Sequence, residues 1–103
     1  MFKMIILLTK KQAMSDDDFA NYLLNTHAHL ARTMPGVRRY VVNVVQRPPP
    51  REPEFHGVAE LWVDDREGMK KAFSSPQGEA TQKDTEAFTS STKTLFAEEH
   101  EIS

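Results

Sequence analysis

The stretch "VRRYVVNVVQRPPPREPEFHGVAELWV" (residues 37–63) decides the fold. Its two ends, 37–46 and 55–63, are short, apolar and dense in β-branched residues, so each reads as a strand. Between them, "RPPPREPE" (47–54) holds four of the six prolines in the chain. Proline cannot sit inside a helix or donate to a central ladder, so this segment is a loop. Two strands therefore follow one another with no helix between them.

Working outward, "FKMIILLTK" (2–10) reads as a strand with apolar residues on both faces, Ile6 and Leu8 on one and Ile5 and Leu7 on the other. The spacing of "MSDDDFANYLLNTHAHLARTMPG" (14–36) predicts a helix. Ser15 is its N-cap, Asp16, Asp17 and Asp18 suit the positive end of its dipole, and Pro35-Gly36 ends it. After the third strand, 64–75 carries Met69, Ala72 and Phe73 at helical spacing behind an Asp64 or Asp65 cap. Pro76 opens a further helix over 76–88, with Ala80, Ala87 and Phe88 expected inward and Gly68 and Gly78 weakening the pair. A last strand is expected over 92–100.

The order β-α-β-β-α-β is the split βαβ, ferredoxin-like plan, an α+β domain with one four-stranded antiparallel sheet. Right-handed crossovers place both helical segments on the same face of that sheet. The other face has no cover, yet the strands are apolar on both faces, with Val42 and Val44 on one side of the second strand and Val41 and Val45 on the other. Four strands of ordinary length present about 350 Å² of flat surface, at or above what a monomer leaves bare. The expectation is a homodimer whose sheets pack face to face.

Bulk properties narrow the function. The chain of 103 residues is expected to form one domain, spanning 1–103. Thirteen basic and fifteen acidic residues give a charge near neutral, which argues for no nucleic-acid or membrane-surface partner. Cysteine is absent, so disulfides and thiolate zinc sites are excluded. The apolar run Met4–Leu8 is too short to cross a bilayer, and a cytoplasmic location is expected. No Gly-rich phosphate loop, nucleophile elbow or metal-ligand cluster stands out, so neither a metal nor a cofactor is expected.

The pair His27 and His29 in "NTHAHL" (25–30) invites a metal reading, but geometry opposes it. Each helical residue advances about 100°, so with Phe19 at zero the apolar arc centres at about 50° and His27 falls inside it at about 80°. His29 falls at about 280°, on another side, whereas a helical metal pair needs i,i+4 spacing. His27 is thus a titratable ring on the face that packs on the sheet. It is either a core histidine or a general acid–base in a pocket between helix and sheet. Polar residues among apolar strand neighbours mark where such a pocket could open: Tyr40, Asn43, His56 and Glu60. Each also has a plainer reading, such as Glu60 pairing with Arg38 or Arg39, or Trp62 packing in the core or dimer face.

Taken together, "MIILLTKK", "MSDDDFANYLLNTHAHL", "MPGVRRYVVN", "GVAELWVDD", "AFSSPQGEA" and "EEH" resemble the EthD family of dimeric α/β-barrel proteins, named for an ether-degradation gene cluster. The family pattern has a histidine in the first helix followed by a small residue, proline and leucine. His27-Ala28-His29-Leu30 matches it, with His29 in the place of proline. Leu23 stands where the family often has an aromatic, and His56 where it often has an acid.

The resemblance implies a pocket between helices and sheet faced by His27 and Tyr40; Leu23, Asn43, Glu60 and Trp62 are the candidate substrate contacts expected around it. It also implies a cofactor-independent enzyme of small-molecule catabolism or secondary metabolism. Such an enzyme would isomerise, dehydrate or decarboxylate its substrate by proton transfer, His27 moving the proton and Tyr40 donating to a carbonyl or enolate. Two alternatives stand beside it: a non-catalytic small-molecule binding or accessory protein to an oxygenase system, and oxidative or haem-linked activity in the same barrel.

Overall fold

The computed structural model describes residues 1–46 and 52–103. The element order is β1 (Phe2–Lys10), α1 (Asp16–Tyr22), a π-helical turn (Leu23–His27), α2 (Ala28–Ala31), β2 (Arg39–Val44), β3 (Gly57–Val63), α3 (Arg66–Ser74), α4 (Pro76–Phe88) and β4 (Thr89–Glu98). The strands form one antiparallel sheet in the order β2-β3-β1-β4, the ferredoxin-like plan expected from the 37–63 stretch. Most of the proline loop, residues 47–51, lies outside the described residues.

The register fixes which side chains meet. Ile6 pairs with Ala59 on one side and Thr94 on the other, and Val42 pairs with Ala59. Period-two alternation then turns Met4, Ile6, Leu8, Ala59, Leu61, Tyr40 and Val42 toward the helices. Leu8, Phe19, Leu23 and Phe88 form one buried cluster, and Ala31, Met34, Leu61 and Ala72 form a second. Phe88 is fully buried, with its ring centroid 5.6 Å from Phe19 and 5.0 Å from Tyr22.

The first helix begins as its sequence dictates, with Ser15 Oγ accepting the Asp18 amide at 3.0 Å. It is not one regular helix over 14–36, however. The buried residues Phe19, Leu23, His27 and Ala31 recur every four residues. On an ideal α-helix a four-residue stride overshoots a full turn by about 40° each time, which would carry Ala31 off the core face. The π turn at Leu23–His27 takes up that drift with one extra residue. Its consequence is visible beyond the turn, where Ala31 is buried and Leu30 only half-buried. Helix ends at Ala31, and Gly36 makes the following turn at φ 79°.

The second crossover forms the two helices expected of it. α3 and α4 abut at Ser75, whose Oγ caps α4 by accepting the Gly78 amide at 3.0 Å. Gly78 is a packing requirement: a Cβ there would overlap the Ala72 carbonyl oxygen and come within 2.6 Å of Phe73 Cα. Those are backbone atoms that cannot swing aside. Gly78→Ala is expected to destabilise the fold by about 1–3 kcal/mol despite alanine's better helix propensity, as chemical denaturation would measure.

Candidate functional site

His27 sits at the end of the π turn, 7% exposed, with its ring centroid 4.9 Å from that of Phe88. Its Nδ1 lies 2.9 Å from Oδ2 of Asp84 on α4. The other carboxylate oxygen of Asp84 accepts the Tyr22 hydroxyl at 2.7 Å. Tyr22, His27 and Asp84 therefore lock one another across the two helices that cover the sheet. A carboxylate only accepts, so Nδ1 carries the proton and the Nε2 lone pair is left over. Nε2 has no hydrogen-bond partner among the described residues. The bond to the Asp84 carboxylate, with burial second, raises the Tyr22 phenol above its ordinary range.

His27 lines a cavity of about 530 Å³ between helices and sheet. The floor is apolar, built from Met4, Ile6 and Leu61 on the strands, Ala31 and Phe73 on the helices and Met34 in the turn after α2. The α4 wall is polar, with Thr81, Gln82, Thr85 and Glu86, and β4 adds a hydroxyl-rich rim of Thr89–Thr92 and Thr94. The size and the mixture suit a small organic ligand.

Tyr40 lines the same cavity from β2. Its hydroxyl is buried and has no hydrogen-bond partner among the described residues, and burial pushes the phenol up to about 12. The sign follows from the raised value. The unfolded phenol ionises from about 10 while the folded one stays protonated, so the associated stability is intact below pH 10 and lost as pH rises toward 12. Tyr40→Phe is expected to raise stability at neutral pH by about 1 kcal/mol, because it removes an unpaired buried hydroxyl. It should also remove this part of the alkaline loss. Denaturant titrations at neutral pH and at about pH 11 would measure both effects.

The other residues singled out from the sequence lie elsewhere. Asn43, Glu60 and Trp62 project from the opposite face of the sheet, because each is an odd number of residues from a cavity-facing neighbour on its strand. There Glu60 pairs with Lys3 at 2.9 Å and accepts from Asn43 at 3.1 Å, and Lys3 holds its carboxyl below the usual range. Trp62 donates to Glu99 at 2.9 Å beneath the Arg39 guanidinium, while Arg38 pairs with Asp64. Leu23 is wholly buried in the core cluster and does not line the cavity. His29 and His100 are exposed.

Asp84, Tyr22 and the threonines of α4 were not legible as site residues. The inward face of α4 is not Ala80, Ala87 and Phe88: Ala80 and Ala87 are exposed, whereas Thr81 and Phe88 are buried and Asp84 and Thr85 half-buried. The signal was the spacing back from Phe88, which places Asp84, Thr85 and Thr81 on its side of the helix. An apolar pattern cannot reveal a face that is polar because it borders a cavity.

A second cluster tests for a metal. Asp16, Glu52 and His56 bring possible ligand atoms within 4.8 Å of one another. His56 Nδ1, however, accepts the Lys10 amide at 3.2 Å, so Nε2 of the neutral ring carries the proton and donates to Glu52 at 2.9 Å. A cation at Nε2 would have to displace that proton and cost the ring its bonds to Glu52 or to the Lys10 amide, so the ring as placed is a structural bridge.

Residues 11–92 match the EthD domain. Among solved structures, an ethyl tert-butyl ether D (EthD) family protein from Bacillus halodurans is 30% identical, with a TM-score of 0.84 over 97% of this chain and 99% of its own. A dimeric ferredoxin-like protein of unknown function from Thermobifida fusca shares the fold at 10% identity and a TM-score of 0.74, over 93% of this chain and 88% of its own. SnoaB, a cofactor-independent oxygenase from Streptomyces nogalater, shares it at 14% identity and a TM-score of 0.69, over 98% of this chain and 94% of its own. No curated protein matches the sequence.

Proposed function

The chain is a member of the EthD family, and on that premise we propose that it is a cofactor-independent enzyme that moves a proton on a small carbonyl compound. The observation that carries this reading is the fixed pair of His27 and Asp84, with the ring bordering a cavity of about 530 Å³. Asp84 sets the tautomer and steadies the imidazolium that forms when Nε2 takes a proton. Tyr40, protonated across the ordinary pH range, donates to the carbonyl oxygen as negative charge develops on it. Isomerisation, dehydration and decarboxylation all pass through such an enol or enolate.

The test is solvent exchange. Purified protein in deuterium oxide, given para-hydroxyphenylacetone, is expected to speed loss of the hydrogens beside the carbonyl, followed by proton NMR. Binding with no exchange would favour the second reading, a carrier for a partner oxygenase. Haem suits the site poorly. No Lys or Arg lines the cavity among the described residues, so the propionates would find no cation there and would lie beside Glu86.

The working unit we propose is a homodimer. Ile5, Leu7, Val41 and Val58 remain half-buried on the sheet face opposite the helices, and Leu95 is 52% exposed on its edge strand. Face-to-face pairing would cover them and bury the Lys3–Glu60 pair. Sedimentation at micromolar concentration is expected to give about 24 kDa, twice the 11.8 kDa chain; a mass of one chain would refute the dimer. No helix among the described residues is long and apolar enough to cross a membrane.

A further inference from the structure

We infer that the cavity selects an uncharged ligand carrying a hydroxyl or phenol donor on the side that meets α4 and a carbonyl acceptor toward Tyr40, and that it rejects carboxylates and phosphates. This rests on the placement of the proposed site and adds the polarity of what enters it.

The polarity is fixed by bonds the wall makes with itself. Thr81 Oγ1 donates to the Gln77 carbonyl at 2.8 Å, Thr85 to Thr81 at 3.1 Å and Thr89 to Thr85 at 2.7 Å. Each hydroxyl has one proton, and each is spent on the carbonyl four residues earlier. What remains toward the cavity is lone pairs. Gln82 follows the same rule: its Nε2 donates to the carbonyls of Phe73 and Gly78 at 3.0 and 3.1 Å. Two carbonyl neighbours fix the amide orientation, leaving Oε1 as an acceptor. Ser90 spends its proton on the Lys10 carbonyl at 3.1 Å. Glu86 adds a carboxylate, and His27 offers the Nε2 lone pair.

Along α4 and at the start of β4 the cavity therefore presents acceptors from Thr81, Gln82, Thr85 and Thr89, with no donor beside them among the described residues. Tyr40 lines the same space, and its hydroxyl, shielded from solvent, is a donor with no partner among the described residues. Free hydroxyls occur at the rim, on Ser91, Thr92 and Thr94, where solvent reaches them. Among the described residues no Lys or Arg lines the space, so an anion would give up its hydration and meet lone pairs. A ligand hydroxyl finds acceptors waiting, and a ligand carbonyl has one donor to find.

Three probes of similar size separate these terms by isothermal titration at neutral pH, where a phenol keeps its proton. They are para-hydroxyphenylacetone, its O-methyl ether, and para-hydroxyphenylacetate. The phenolic ketone is expected to bind about fivefold or more tighter than its ether, which lacks the donor. It should bind more than about tenfold tighter than the carboxylate. In Thr81→Val/Thr85→Val, which keeps side-chain shape, the phenol should lose its advantage while the ether binds as before. Equal binding of phenol and ether, preference for the carboxylate, or no measurable affinity for the phenolic ketone would overturn the inference. So would a wild-type preference surviving the double valine variant. The readout is affinity, so it is distinguishable from failed turnover: a selective protein that exchanges no hydrogen keeps this inference and loses the proposed reaction.

Discussion

Asp84→Asn is expected to lower the rate of the proposed proton transfer at His27 by about 10³–10⁴-fold while leaving the fold in place. The size of the effect comes from Tyr22. Its hydroxyl donates to one oxygen of Asp84 while the other faces His27 Nδ1. In the asparagine variant the amide oxygen stays with Tyr22, which still needs an acceptor, and the NH₂ turns to His27. Nδ1 then becomes an acceptor, the proton moves to Nε2, and the base facing the cavity is gone. A double variant checks this directly. With Tyr22→Phe added, the amide is free to turn its oxygen to Nδ1 and restore the working tautomer. Asp84→Asn/Tyr22→Phe should therefore be faster than Asp84→Asn alone, although Tyr22→Phe by itself removes a bond that steadies the pair. If both exchange equally slowly, tautomer control is not the role of Asp84.

Phe88→Ala carries the largest expected loss of stability, about 3–5 kcal/mol. The ring is fully buried and touches Phe19, Tyr22 and His27 with centroids at 5.6, 5.0 and 4.9 Å. It joins the end of α4 to the first helix at the level of the π turn, so neighbours on both sides would have to collapse to close the hole. In a chain of 103 residues each kcal/mol lowers the melting temperature by about 4–8 °C. A fall of less than about 5 °C would show that the site relaxes around the loss. Phe88→Leu, which keeps most of the volume, should cost less than half as much. Because the same ring packs on His27, the leucine variant is the one in which changed activity can be separated from unfolding.

The architecture was readable because two ordinary signals agreed. Prolines forbade a helix between the strands of 37–63, and alternation along 2–10 demanded cover on both faces of β1. The inward turn of His27 was also readable, since an α-helical rotation puts it in the apolar arc. The π turn escaped that rotation because it inserts a residue without any change in residue type; only the stride Phe19, Leu23, His27, Ala31 betrays it. Asn43, Glu60 and Trp62 were drawn toward the site for being polar or aromatic among apolar neighbours, yet strand alternation sends them to the other face, into the Lys3–Glu99 network. Asp84 was hidden for the converse reason. It completes the site from a helix whose inward face is polar, and hydrophobic patterning finds faces that pack, not faces that border a cavity.

The central claim is that the His27 ring moves the proton. Its most direct measurement is deuterium incorporation beside the carbonyl of para-hydroxyphenylacetone, compared between the wild type and His27→Gln with melting temperatures recorded for both. Glutamine keeps the reach toward Asp84 and has no basic nitrogen. The account predicts acceleration by the wild type, a fall of about 10²-fold or more in His27→Gln, and a melting temperature shifted by only a few degrees. Undiminished exchange by a His27→Gln protein that melts with the wild type would contradict it.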